Sequence, residues 1–144
     1  MTISQKFALR KAAAGVSMLA FFLQIATAAT IQIRVLNAKN GTRVADQKVS
    51  VLIKGMKAAT EYTTDAQGNI NADLDPEAEV FVATEWWTTC RKTGSGVDPY
   101  ISISRVLQEG VTVENTCGRA KTETIKGKLI IFAKKSSLIQ LFNK

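Results

Sequence analysis

A chain of 144 residues with 46% hydrophobic and 22% charged side chains has the composition of a folded protein, not a disordered one. Its formal charge of +7 arises from 19 Lys and Arg against 12 Asp and Glu, and the cations Arg34, Lys39, Arg43, Lys48, Lys54, Lys57, Arg91 and Lys92 are scattered among acids, which argues against a nucleic-acid partner. Histidine is absent, which removes the ordinary base of Ser/His and Cys/His catalysis and a common zinc ligand.

Residues 1–28 read as a secretory signal. Lys6, Arg10 and Lys11 precede an apolar run from Ala12 to Ile25, and Ala26-Thr27-Ala28 places small residues where a signal peptidase acts. The 14 residues of that run fall short of the ~20 a spanning helix needs, so cleavage after Ala28 is expected over retention as an anchor. No cysteine stands near the cleavage point to carry a lipid, and no later run is long and apolar enough to span a bilayer. Removing 28 of 144 residues leaves 116 (Ala29 to Lys144), the size of one domain, and removing three cations from +7 leaves +4. The expected location is periplasmic or secreted.

Both cysteines, Cys90 and Cys117, lie in the exported part. An even count in an oxidising compartment reads as a disulfide. A redox pair or half a metal site fits poorly, because the spacing is not C-x-x-C and no histidine completes a zinc set. No metal and no cofactor is therefore expected.

The rest of the chain reads as β throughout. Ile31, Ile33 and Val35 alternate with Gln32 and Arg34, and Asn40-Gly41 marks a turn. Val49, Val51 and Ile53 repeat the alternation up to Gly55, the segment Met56 to Thr60 lacks a period, and Glu61 to Thr64 leads into Asp65-Ala66-Gln67-Gly68. That turn is expected to close a short hairpin, with Asp65 bonding nearby backbone and Gly68 taking positive φ. Ile70, Ala72 and Leu74 form the buried face of the next strand, which Asp75-Pro76 ends. Glu79 to Trp87 reads as one central strand, with Val80, Val82, Thr84 and Trp86 on one face and Phe81, Ala83, Glu85 and Trp87 on the other. The alternation requires one of the two Trp residues to face outward. Arg91 to Asp98 is a loop ended by Pro99, Tyr100 to Leu107 resumes strand alternation, and Glu109-Gly110 breaks it. Val111 to Val113 is a short edge strand, Gly118 to Thr124 is polar, and Lys128 to Ala133 is a buried last strand. About seven short strands with frequent turns and no long helical period describe a two-sheet sandwich. The tail Ser136 to Lys144 holds Leu138, Ile139, Leu141 and Phe142 and is expected to pack over an open end of the sandwich, since nine residues do not hold a helix alone in water. The alternative is an amphipathic segment docking on a partner or a membrane surface beside Lys134, Lys135 and Lys144.

The series V-S-V-L-I-K-G, T-T-D-A-Q-G-N-I and A-D-L-D-P-E-A-E-V-F-V resembles the prealbumin-like, carboxypeptidase-regulatory-like β-sandwich family of exported bacterial proteins. Thr64, Asp65 and Gly68 match its T-D-x-x-G turn, and Leu74 and Pro76 match its L-x-P motif. The likeness covers roughly Ile31 to Val82; Glu77-Ala78-Glu79 depart from it where the family places Gly and an aromatic. It implies an all-β, seven-stranded, Ig-like antiparallel sandwich and no particular activity. The family's 5-hydroxyisourate hydrolases use several His residues and a C-terminal Tyr-Arg-Gly-Ser, neither present here. Its self-crosslinking adhesin modules place an Asn on the last strand, and Lys128 to Ala133 has none.

Two classes of function remain. The expected one is non-catalytic: a small exported module, or an accessory subunit of an envelope assembly, that binds a protein or glycan at the cell envelope. Its candidate contact residues are Trp86, Trp87, Arg91, Lys92 and Tyr100, since an exposed Trp beside a polar loop suits a sugar ring or a protein hot spot. The other is a hydrolase or metal-binding protein using Asp73, Asp75, Glu77 and Glu79; with no Asp-x-Asp-x-Asp-Gly loop, these acids are expected to be a solvated strand face and turn. Asn40-Gly41-Thr42 matches a glycosylation acceptor by chance.

Overall fold

Alternating apolar side chains build the interior, as expected for half-buried strands. The computed structural model describes residues 27–137; the signal run and the tail beyond Ser137 lie outside them. One sheet contains, in spatial order, β4 (Asn69–Leu74), β1 (Ala29–Asn37), β9 (Lys128–Lys135) and β6 (Trp87–Cys90), with β8 (Val111–Thr112) also paired to β9. The second contains β3 (Thr60–Thr63), β2 (Lys48–Ile53), β5 (Glu79–Thr84) and β7 (Ile101–Ser102). The facing sides share one core: Ile31, Ile33, Val35, Leu129 and Ile131 from the first sheet meet Val49, Val51, Val80 and Val82 from the second. Each such side chain contributes about 1.5–3 kcal/mol by leaving water.

Several expectations are corrected. The first sheet is mixed, because β1 and β8 both run parallel to β9. Nine strands form among the described residues, two of them only two residues long. The Asp65 turn has the expected chemistry: the Asp65 carboxylate accepts from the N–H groups of Gln67 and Asn69, and Gly68 has φ +72°. It closes no hairpin, however. β3 pairs with β2 and β4 pairs with β1, so the turn carries the chain from one sheet to the other. Buried Thr64 holds this corner, donating to Val44 O and accepting from Gln47 N–H, each at 2.8 Å. A Cβ on Gly68 would lie 2.9 Å from Val35 O, so the crossing also needs a residue without a side chain.

Tyr100 to Leu107 is not a strand. β7 covers two residues and gives way to α1 (Ile103–Gln108), which starts where the Ser102 hydroxyl accepts from Arg105 N–H. Ile103 and Val106, three apart, are both buried, so the apolar spacing suits a helix as well as a strand at this length. Gly110 (φ +80°), just past the cap Glu109, donates to Val106 O and ends the helix. No helix among the described residues is long and apolar enough to cross a membrane.

The single strand expected from Glu79 to Trp87 is two strands in different sheets. Chain direction changes at Glu85-Trp86, where Thr84 Oγ1 donates to Trp87 O at 2.5 Å and Thr84 N–H donates to Thr89 Oγ1 at 3.0 Å. The break resets the alternation. Trp87 packs against the core, and Trp86, in phase with buried Val80 and Val82 by simple counting, is 59% exposed.

The Cys90–Cys117 disulfide is formed. It anchors the segment between β8 and β9 over the outer face of the first sheet, where Leu36, Ala38, Cys90, Ile130 and Phe132 form a second buried cluster with Ala120 against it. The Asn115 amide donates to Ala38 O (2.8 Å) and Ala120 O (3.0 Å), while its carbonyl accepts from the N–H groups of Cys117 and Gly118. Gly118 lies so close to Ala38 that a Cβ would come within 2.0 Å of its carbonyl oxygen.

Candidate binding surface

The outer face of the second sheet is built by the side chains of β2 and β5 that do not enter the core. Register sets Lys54 beside Glu79, Leu52 opposite Phe81, Ser50 opposite Ala83, and Lys48 near Glu85. β7 reaches only Glu79 and Val80, so the edge beside Phe81 is left to the segment that follows β6. Two side chains from that segment close on Phe81. The Arg91 guanidinium stacks 3.8 Å from the ring centroid, and the Tyr100 ring lies tilted with centroids 6.2 Å apart. The Lys54 ammonium sits 5.3 Å from the Tyr100 ring and bonds the Glu79 carboxylate at 2.7 Å. Asp98 ties the loop down, accepting from Tyr100 N–H at 2.9 Å and lying 3.9 Å from Lys54.

Electrostatics separates the two cations. The hydrogen bond to Glu79 raises the Lys54 pKa above its ordinary value, and partial burial opposes it more weakly than the bond and the nearby acids favour it. Burial lowers the Arg91 pKa from its ordinary value. Arg91 enters no ion pair among the described residues. A guanidinium centred over an aromatic ring still has N–H donors that the ring does not satisfy, and these suit a carboxylate or sugar hydroxyls.

Of the expected contact residues, the fold brings Arg91 and Tyr100 together and separates the rest. Trp86 lies past the end of β5, exposed in the Glu85-Trp86 bend. Trp87 belongs to the core, and Lys92 pairs in solvent with Glu114 at 3.1 Å. Phe81 and Lys54 were not singled out from the sequence. The signal for Phe81 was its place on the outward phase of β5, an aromatic ring where a polar residue is usual. A groove of about 140 Å³ is lined by Arg91 together with Val97, Asp98, Pro99, Val113 and Glu114.

Three of the four carboxylates of the alternative reading have structural partners. Asp73 accepts from the Thr30 hydroxyl across the β1–β4 pair, Asp75 accepts from Glu77 N–H in its own turn, and Glu79 is bound to Lys54. No group of three or more His, Cys, Asp or Glu that could hold a metal occurs among the described residues. Comparison with protein-family models, curated proteins and solved structures finds no match to this chain.

Proposed function

We propose that this chain is an exported, non-catalytic β-sandwich module of the prealbumin-like, Ig-like type that binds a protein or glycan partner at the cell envelope, free or as an accessory subunit of an envelope assembly. The T-D-x-x-G turn at a sheet-to-sheet corner and the two sheets sharing one core support the fold assignment. The signal-like start and the disulfide support export. One observation carries the binding role: Arg91 over the Phe81 ring beside Tyr100, without a counter-ion among the described residues, on the face of the second sheet away from the core. The partner contacts this cluster through a carboxylate or hydroxyl group, and exposed Trp86, in the bend past β5, offers a separate aromatic contact.

The test is affinity capture with crosslinking from an envelope extract, together with a glycan array, using wild type and the variants Arg91→Ala, Tyr100→Ala and Trp86→Ala. Arg91→Ala and Tyr100→Ala should each weaken the captured interaction by about tenfold or more, as for truncated hot-spot residues, with little change in melting temperature. Wild-type affinity in all three variants would overturn the reading. Loss of a catalytic turnover on substitution of Asp73 or Asp75 would replace it with the carboxylate enzyme.

A further inference from the structure

At one end of the first sheet the parallel strands β1 and β9 finish together, with Asn37 opposite Ala133. A groove of about 670 Å³ opens there, lined by Asn37, Lys39, Cys117, Arg119, Lys134 and Lys135, and no carboxylate lines it. Its volume is that of a small-ligand pocket, roughly 300–1,000 Å³. Its cations come from three separate parts of the chain. Ala38 N–H donates to Ala133 O at 2.9 Å and Ala120 N–H donates to Ala38 O at 3.1 Å, so backbone bonds draw the carriers of Lys39, Lys134 and Arg119 together. The disulfide and the Asn115 side chain hold the segment that bears Arg119, and Gly118, lacking a Cβ, lets it close on the Ala38 carbonyl. All four cations are exposed, and none enters an ion pair among the described residues. The Asn37 carbonyl oxygen accepts from Lys39 N–H at 2.9 Å, which leaves the amide N–H groups of Asn37 to add neutral donors.

We infer that this groove binds a compact polyanion carrying two or more phosphate groups. A cleft lined by one sign of charge concentrates counter-ions of the other sign. The four cations of one small groove are matched by about four negative charges in a comparably small volume. Two phosphate groups, each carrying about −1.5 to −2 near pH 7, supply them, and the planar fork of Arg119 matches phosphate oxygens in pairs. Carboxylates supply one charge apiece, so an acidic peptide would have to bring an acidic side chain for every cation into the same space. An extended polyanion would leave most of its charge outside the groove. Paired phosphates occur on soluble molecules and on lipid headgroups, and the groove matches the chemistry they share. The inference is independent of the Arg91 surface.

The experiment is calorimetric titration of the disulfide-bonded protein with inorganic tripolyphosphate, alongside inorganic phosphate, sulfate and a tetraglutamate peptide. Tripolyphosphate should bind at one site, about tenfold or more tighter than each of the other three, and salt should weaken it. Lowering the pH through about 6, where a phosphate group takes up its second proton, should weaken it further. Arg119→Gln and Lys134→Gln should each reduce the affinity by about tenfold and Lys39→Gln by about fivefold, all with unchanged melting temperature. Lys57→Gln, which removes the same charge from the connection between β2 and β3, and Arg91→Ala should leave it intact. Displacement of the probe by phosphatidylcholine vesicles containing cardiolipin, a lipid with two phosphates, makes a headgroup the source; retention of the probe makes the source soluble, and either result upholds the groove. Binding of sulfate or tetraglutamate as tightly as tripolyphosphate, an equal loss in Lys57→Gln and Arg119→Gln, or no binding of tripolyphosphate would each overturn the proposal.

Discussion

On the outer side of the first sheet, Leu36, Ile130 and Phe132 are sealed beneath a loop stapled by Cys90–Cys117 and by the four hydrogen bonds of Asn115; on the outer side of the second, Phe81 meets two side chains, Arg91 and Tyr100. Both faces carry an aromatic residue at the middle of a strand. What differs is the cover. A backbone segment with a covalent tie excludes water and partners alike, while a guanidinium over a ring keeps N–H donors that the ring does not satisfy. The first arrangement is a device of stability; the second is the one we propose for recognition.

Removing the staple should produce the largest effect on this contrast. Cys90→Ser with Cys117→Ser frees a closed segment of 27 residues, for which chain entropy gives about 3.5 kcal/mol of lost stability, measured by denaturant unfolding. Dye binding to the newly uncovered cluster around Phe132 should rise, while the Arg91 surface keeps its affinity. Next come the two Trp residues. Trp87→Ala should cost about 2–3 kcal/mol, somewhat under the range for a fully buried Trp, whereas Trp86→Ala should stay within about 0.5 kcal/mol. Equal losses from both would mean that the strand break at Glu85-Trp86 is misplaced. Gly118→Ala forces the covering loop off Ala38 and should cost about 1–3 kcal/mol in the same unfolding assay without touching the second sheet. The smallest effect belongs to the open face and to alkaline pH. Lys54 has a raised folded-state pKa, so its contribution is complete below the ordinary lysine value of 10.5 and is lost as pH rises through the folded value. The melting difference between wild type and Lys54→Gln should therefore be constant near neutrality and shrink at pH above 10.5.

Much of the interior could be read from the residues, because alternation is a local property: Ile31, Ile33 and Val35, or Val49 and Val51, declare their buried face without knowledge of a partner. The disulfide followed from the even cysteine count and the expected compartment. Pairing was not legible in the same way. The Asp65 turn has hairpin chemistry, and only the competition of β1 for β4 and of β2 for β3 makes it a corner. In Ile101-Ser102-Ile103-Ser104-Arg105-Val106, a two-residue and a three-residue apolar spacing coexist, and the Ser102 cap together with Gly110 decides for helix. The candidate surface was half legible. Arg91 and Tyr100 stood out as a cation and an aromatic at the ends of a loop, but Phe81, which joins them, looked like one more residue of a central strand. Lys39 and Arg119 meet Lys134 only through backbone bonds between distant segments, which no sequence pattern announces.

The central claim is that recognition belongs to the open face of the second sheet. Hydroxyl-radical footprinting of the protein alone and saturated with its captured partner tests it directly. Protection should fall on Phe81, Tyr100 and Trp86, with Ile125 of the covering loop, itself exposed, unchanged. Protection of Ile125 and its neighbours, with Tyr100 and Trp86 labelled as in the free protein, would contradict the account.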